Sequence, residues 1–166
     1  MMNVQKLFTM QKELDTSIQQ GRNLAGEPLL ERKLLAFHVE TCELANETRC
    51  FKFWSSKPSA DRSVILEEYV DGLHFLLSVG LELGFQDAVT ESSQRVQTAE
   101  KPVTSYFHTV IDKIVQLRQD QTADTYEELF TAYSALAEAL GFSPDDIEAA
   151  YFDKNKVNYR RQEEGY

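Results

Sequence analysis

The stretch SVILEEYVDGLHFLLSVGLEL, residues 63–83, decides the fold. It is long, mostly apolar and without lysine or arginine, and its spacing is typical of a helix. At about 100° per residue, the carboxylates of Glu68 and Asp71 fall on the apolar side of that helix. The apolar residues around them are Val64, Ile65, Gly72, Phe75 and Val79. The stretch therefore predicts a core helix that carries two acids on or beside its buried surface.

The preceding stretch LLAFHVETCELANE, residues 34–47, repeats this pattern. Glu40 and Glu43 are also three residues apart, and residues three apart share a helix face. They border a stripe formed by Leu34, Phe37, Thr41 and Leu44. Two neighbouring amphipathic helices with one acid pair each are therefore expected to bring four carboxylates together.

These four carboxylates favour a divalent cation. A charge on a core-facing surface is costly unless it is paired, and few basic residues lie in either stretch. Hard oxygen ligands suit Mg²⁺, with Mn²⁺ as the second candidate. A di-iron bundle would need Glu-x-x-His on two helices. Only Asp71-x-x-His74 resembles half of that motif, and the sequence has no second copy, so Mg²⁺ is favoured.

Helical periodicity continues along the rest of the chain. The sequence therefore predicts an all-α, bundle-like single domain over residues 1–166. Residues 86–100 are polar and are expected to form an exposed helix end or a mobile connection. Six helices are predicted. The first ends near Gly21, the second spans about Leu29–Thr48, and the third starts near Ser59 or Asp61 and ends near Leu83. The last three span about Val103–Arg118, Ala123–Leu140 and Ser143–Arg160.

Composition and charge exclude several classes of protein. A net charge of -10 argues against general nucleic-acid binding and against anionic membranes. No signal peptide is visible, and the most apolar part, near Leu73–Phe85, is too short for a membrane span. Cys42 and Cys50 form no disulfide framework and are expected to be reduced packing residues. A cytoplasmic protein is therefore expected.

The segment at residues 151–166, YFDKNKVNYRRQEEGY, concentrates positive charge in an acidic protein. Lys154, Asn158 and Arg161 are spaced i, i+4 and i+7, so a helix would present them on one face. An ammonium, an amide and a guanidinium together suit a polyphosphate. The alternative is that these basic residues only stabilise the negative end of a helix dipole.

An aromatic and basic segment, RCFKFWS at residues 49–55, follows the second predicted helix. Such a segment can stack on a base and contact a phosphate. The alternative is that its rings seal the core, and this alternative is favoured for Phe51 and Phe53. For Lys52 and Trp54 both interpretations stay open.

Two further polar residues are candidates for a nucleotide pocket. The amide of Gln11, in the first predicted helix, could pair with a pyrimidine edge, although a surface glutamine is the more usual role. His74 follows Asp71 by about one turn and could line the same site. The alternative for His74 is a helix histidine that neighbouring groups satisfy.

The chain resembles the all-α NTP pyrophosphatases, and within them the dimeric dUTPases, in three strings: ELANETRCFKFWS, ILEEYVDGLHFLLSVGLELG and Y-x-x-K-N-x-x-N-x-x-R-Q-x-x-G-Y. The acid pairs resemble a motif shared by the whole superfamily, whereas the aromatic loop and the tail resemble motifs of the dUTPase branch alone. The resemblance covers the N-terminal half and the tail, and residues 86–150 match poorly. The short chain is similar to the compact form found in some bacteria and their phages.

This resemblance implies a reaction and a metal site. The reaction would be hydrolysis of dUTP to dUMP and pyrophosphate, which keeps uracil out of DNA, and dUDP is a second candidate substrate. The residues that would hold Mg²⁺ against the triphosphate are Glu40, Glu43, Glu68 and Asp71. One acid of the second helix, Glu43 or Glu40, would also orient and deprotonate the attacking water.

The resemblance also implies how the nucleotide would be held. Lys154, Asn158 and Arg161 would bind the phosphates. Lys52 and Trp54 would help to seat the nucleotide. Gln11 would bind the uracil edge, and Phe75 would pack on the base. The family works as a homodimer in which helices of both subunits shape each site. One departure is Asp15, where the family often has asparagine.

Two alternatives stay open at this point. A related pyrophosphatase acting on dCTP or on damaged nucleotides would have the same four acids, and only the aromatic loop and the tail argue for dUTP. A helical interaction or regulatory protein with a vestigial site belongs to another class. In such a protein, replacement of Glu43 by alanine would leave function untouched.

Overall fold

A computed structural model describes residues 1–94 and 100–165 of the protein. Within these two ranges the chain forms seven α-helices and one short 3₁₀ helix, and it contains no strand. The helices are α1 (Val4–Gly21), α2 (Leu30–Thr48), α3 (Arg62–Leu83), α4 (Glu91–Gln94), α5 (Val103–Gln119), α6 (Ala123–Ala139) and α7 (Pro144–Glu163), and the 3₁₀ helix is Gln86–Ala88. The predicted all-α fold is confirmed.

Helix α3 is the centre of the fold. It makes the most extensive helix contact with α2, and both α1 and α7 also pack on it. Ten of its residues are buried, from Tyr69 through Gly80, because α1, α2, α6 and α7 all pack on this part of the helix. Full burial of one large apolar side chain contributes about 1.5–3 kcal/mol. The helix that carries one acid pair is therefore held rigidly between the others.

Two glycines of α3 let two tyrosines of α6 reach its backbone. A Cβ atom at Gly72 would lie 2.1 Å from the Tyr133 hydroxyl oxygen, and one at Gly80 would lie 2.2 Å from the Tyr126 hydroxyl oxygen. The Tyr133 hydroxyl donates to the Tyr69 carbonyl at 2.8 Å, and the Tyr126 hydroxyl donates to a second α3 carbonyl at 2.9 Å. These buried hydroxyls are thus satisfied by the helix that they pack against.

The helix ends follow local chemistry. Ser143 accepts a hydrogen bond from the Asp146 backbone N–H, and the Asp146 carboxylate accepts one from the Ser143 N–H at 2.9 Å. Pro144 occupies the first turn, so the predicted start of α7 is confirmed. Gly84 ends α3 in the left-handed conformation, at φ 74°. Arg49 ends α2 in the same region, at φ 57°.

Some parts of the chain differ from the sequence-based expectations. The polar segment at residues 86–100, expected to be an exposed helix end or a mobile connection, contains the 3₁₀ helix and α4. Residues 95–99 of this segment lie outside the described residues. Cys42 and Cys50 are unbridged, but both are exposed rather than packed. Cys42 lies on the outer face of α2, since that helix turns other residues to the core, and Cys50 follows its end. No described helix is both long and apolar enough to cross a membrane.

Candidate active site

Three acids from α2 and α3 meet at one point beside the core. One carboxylate oxygen each from Glu40, Glu68 and Asp71 lies within 4.8 Å of the other two. The three side chains are half-buried, and the extensive packing of α2 on α3 brings them together. We call these three residues the acidic cluster. Its oxygen atoms are of the type that Mg²⁺ and Mn²⁺ prefer.

Glu43, the fourth predicted acid, lies at the edge of the acidic cluster. Its side chain is exposed, and its oxygens are not among the three that converge. It lies close enough to Glu40 to raise the pKa of that carboxyl. The structure therefore brings three of the four predicted acids together and leaves Glu43 in contact with solvent beside them.

The acidic cluster is electrostatically strained. Burial, followed by the charges of Asp71 and Glu43, raises the pKa of Glu40 from 4.5 to about 7. Burial and the charge of Asp71 also raise the pKa of Glu68. Burial raises the pKa of Asp71 as well, against the opposing effect of Lys154. Carboxylates that repel one another gain most from a bound divalent cation, so the residues present fit such an ion.

A buried lysine also pairs with the acidic cluster, which corrects the expectation that the acids lack a basic partner. Lys154 Nζ donates to Asp71 Oδ2 at 2.7 Å and to Glu67 Oε1 at 2.9 Å. Burial alone would lower the pKa of Lys154, but these two hydrogen bonds raise it above its ordinary value. The lysine comes from α7, so the spacing within α2 and α3 could not reveal the pair.

The other two basic-tail candidates lie on the same helix as Lys154. Asn158 and Arg161 are half-buried, one and two turns further along α7. The charge of Arg161 acts to lower the pKa of Asp71, so the guanidinium lies near the acidic cluster. The structure thus brings Lys154 and Arg161 to the acids, and helical spacing puts Asn158 between them.

Gln11 is buried, so the surface alternative for this residue is wrong. Its side chain is 3% exposed. Its Oε1 atom accepts a hydrogen bond from the Tyr151 hydroxyl at 2.8 Å and lies 2.8 Å from His74 Nδ1. Its Nε2 atom donates to Asp15 Oδ1 at 2.8 Å. Because a carboxylate accepts only, the amide nitrogen must be the atom beside Asp15, and one N–H of Gln11 has capacity for a further acceptor.

His74 is buried beside Gln11, and its ring stacks on that of Tyr151 with centroids 4.1 Å apart. Burial, and then the charge of Lys154, lowers the pKa of His74 to about 3, so the ring is neutral at pH 7. Since Nδ1 donates to Gln11, Nε2 carries no proton, and it has no hydrogen-bond partner among the described residues. Phe75, the next residue, is half-buried against the core.

The aromatic loop after α2 corrects another expectation. Phe51 and Phe53, expected to seal the core, are 43% and 93% exposed, and Trp54 is 65% exposed. The rings contact one another instead, with Phe53 and Trp54 edge to face at 5.1 Å. Lys52 Nζ donates to Asn46 Oδ1, on the last turn of α2. The loop therefore presents its rings to solvent beyond the end of α2.

A comparison with protein families settles what kind of chain this is. A model of the dUTPase family matches residues 3–166, which is nearly the whole chain. The chain belongs to the dUTPase family. The match also covers residues 86–150, where the motifs alone give little resemblance. A search of curated proteins finds no match.

The predicted family is thereby confirmed, and the chain is a dUTP diphosphatase, an enzyme that hydrolyses dUTP. Three residues of this dUTPase, which the sequence did not assign to the site, complete its polar network: Asp15, Glu67 and Tyr151. Each lies about one helical turn from a predicted site residue. That spacing was the signal available in the sequence for these three residues, but polar residues one turn apart are common on any helix.

Proposed function

We propose that the enzyme converts dUTP to dUMP and pyrophosphate with the help of Mg²⁺, and that the ion is held by Glu40, Glu43, Glu68 and Asp71. The observation that carries this proposal is the acidic cluster, whose three oxygens converge within 4.8 Å. Mn²⁺ would satisfy the same donors, because it is also a hard cation. When bound, the ion would offset charge on the triphosphate and make its phosphorus more open to attack.

Among the acids, Glu43 is best placed to act on the attacking water. It is exposed beside Glu40 and lies outside the three converging oxygens. A carboxylate in that position can accept a hydrogen bond from water, orient it and take its proton during attack. Glu40 remains the alternative base, because its raised pKa also suits proton transfer near neutral pH. No side-chain nucleophile is required.

The phosphates are assigned to Lys154, Asn158 and Arg161. Lys154 and Arg161 lie near Asp71, so they concentrate positive charge beside the proposed ion. A lysine supplies a compact charge, whereas an arginine can donate two parallel hydrogen bonds to phosphate oxygens. Asn158 adds a neutral donor between them. Together these groups would stabilise negative charge that moves onto the leaving pyrophosphate.

Recognition of the base is assigned to Gln11, His74 and Phe75. Gln11 retains one N–H donor, and the Nε2 atom of His74 is an acceptor. A uracil edge carries one N–H between two carbonyl oxygens, so it needs both kinds of partner. Phe75 would pack against the ring, and Lys52 and Trp54 would seat the nucleotide from the loop after α2.

We also propose that the enzyme is a homodimer and works in the cytoplasm. Leu35 and Val39 are exposed on α2, at 64% and 47%, and they border a groove that also contains Glu43 and Asn46. Apolar side chains exposed together beside a groove are suited to contact with another chain. A second copy that covers this groove would lie beside Glu43 and beside Asn46, which accepts a hydrogen bond from Lys52 of the aromatic loop.

The test is pyrophosphate release from dUTP, dTTP, dCTP and UTP, each with Mg²⁺ and with EDTA. Fast release from dUTP that stops in EDTA is the expected result. Equal or faster release from dCTP would overturn the assigned base recognition while preserving the role of the ion. Undiminished release in EDTA would overturn the role of the ion.

A further inference from the structure

Lys154 is shared between two carboxylates that have different surroundings. Its side chain is 9% exposed, and its Nζ atom lies 2.7 Å from Asp71 Oδ2 and 2.9 Å from Glu67 Oε1. Asp71 is 21% exposed and belongs to the acidic cluster. Glu67 is 60% exposed, and none of its oxygens converges with that cluster. One lysine therefore links an acid of the proposed ion site to an acid outside it.

This arrangement creates a competition for Asp71. A divalent cation bound at the acidic cluster would draw on the carboxylate that now accepts from Lys154. A buried ammonium that loses its charged partner is costly, because little water reaches it. Glu67 precedes Asp71 by four residues, so both acids lie on the same face of α3 and both reach Lys154. Glu67 can thus keep its hydrogen bond to Lys154 while Asp71 turns to the ion.

We propose that Glu67 is a positioning residue that retains Lys154 beside the acidic cluster when a divalent cation occupies Asp71. The inference rests on the proposed ion site. With Glu67 in place, Lys154 keeps one charged partner and stays within reach of a substrate phosphate. Without Glu67, Lys154 would pair with Asp71 alone. The lysine would then compete more strongly with the ion for the Asp71 carboxylate.

The test is calorimetric titration of Mg²⁺ into the nucleotide-free protein, arranged as a double-mutant cycle with Glu67→Gln and Lys154→Met. The matched control is Glu47→Gln. The charge of Glu47 also acts on the acidic cluster, because it helps to raise the pKa of Glu68. Its carboxylate, however, accepts a hydrogen bond from Asn46. We expect Glu67→Gln to weaken Mg²⁺ binding by about tenfold and Glu47→Gln by less than about threefold, within the range of coupling between contacting residues. Lys154→Met alone should tighten binding.

The cycle separates positioning from a general effect of charge. In the Lys154→Met background, Glu67→Gln should have no larger effect than Glu47→Gln. An undiminished effect there, or no effect of Glu67→Gln in the wild-type background, would overturn the inference. If Lys154→Met does not fold, Lys154→Gln replaces it in the cycle. Absence of Mg²⁺ binding by the wild-type protein would overturn the proposed ion site itself, and the inference with it.

Discussion

The hydroxyl of Tyr133 occupies the space that a side chain at residue 72 would fill. A Cβ atom on Gly72 would lie 2.1 Å from that oxygen, which donates to the Tyr69 carbonyl. The contact joins α6 to α3 one residue after Asp71. The geometry of the acidic cluster therefore depends on a glycine that makes no polar contact of its own.

Replacement of Gly72 by alanine should reduce the free energy of unfolding by about 1–3 kcal/mol, because the tyrosine must shift to admit the methyl group. Urea unfolding followed by circular dichroism measures this change. Gly21→Ala is the matched control, since no heavy atom lies within 4 Å of a Cβ there and alanine favours a helix. A Gly72→Ala protein as stable as the wild type would contradict the close packing.

Replacement of Glu40 by glutamine should lower Mg²⁺-dependent turnover of dUTP by about 100-fold or more, because an ion ligand and a charge are lost. The same variant should be more stable than the wild type in EDTA, because mutual repulsion is relieved. The wild-type pKa of about 7 exceeds the ordinary 4.5, so this gain should be largest above pH 7 and should fade towards pH 4.5. Thermal melting across that pH range measures it.

The control for this substitution is Glu13→Gln, which removes an acid from an exposed position of α1. It should leave both turnover and melting temperature close to wild type. Wild-type turnover in Glu40→Gln would remove this residue from the site, and a lower melting temperature in EDTA would contradict the strain in the acidic cluster.

The stability of the protein should fall in acid partly because of His74. Its folded pKa of about 3 lies below the ordinary 6.5, so between these values the unfolded chain binds a proton that the folded chain does not. The stability advantage of the wild type over His74→Gln should therefore shrink by about 2 kcal/mol between pH 7 and pH 5. Urea unfolding of both proteins in EDTA gives the difference between their free energies of unfolding at each pH. The titration of the carboxylates contributes equally to both proteins and cancels in this difference. An advantage that stays constant with pH would show that His74 becomes protonated in the folded state.

The proposed dimer depends on the exposed apolar side chains of α2. Val39→Glu should convert a dimer into a monomer, because a charge would be buried against the second copy. Light scattering coupled to size-exclusion chromatography measures the mass. Gln20→Glu adds the same charge at an exposed polar position of α1 and should leave the mass unchanged. A wild-type protein of monomer mass would refute the dimer.

Helical periodicity and the acid spacing were sufficient to predict the fold and the convergence of Glu40, Glu68 and Asp71, but not the exposed position of Glu43. The bounds of α2, α3, α5 and α6 agree with the prediction to within about one turn, because each helix turns a regular apolar stripe to one shared core. Glu68 and Asp71 meet Glu40 because both acid pairs border those stripes. Local sequence therefore determined which faces pack together.

Contacts between distant helices could not be predicted in this way. The pair of Lys154 with Glu67 joins α7 to α3, and nothing in either local sequence indicates their relative placement. Phe51 and Phe53 were misassigned for a different reason. A large ring is usually buried in its own chain, whereas Phe53 is almost fully exposed. Its exposure is consistent with a surface that a second copy covers.

The most direct test of the central claim is anomalous diffraction from crystals of the wild-type enzyme soaked in Mn²⁺. The ion should give a strong peak within bonding distance of carboxylate oxygens from Glu40, Glu68 and Asp71, and Asp71→Asn crystals treated in the same way should give a much weaker one. No peak at these three carboxylates, or a peak only elsewhere on the protein, would contradict the proposed ion site.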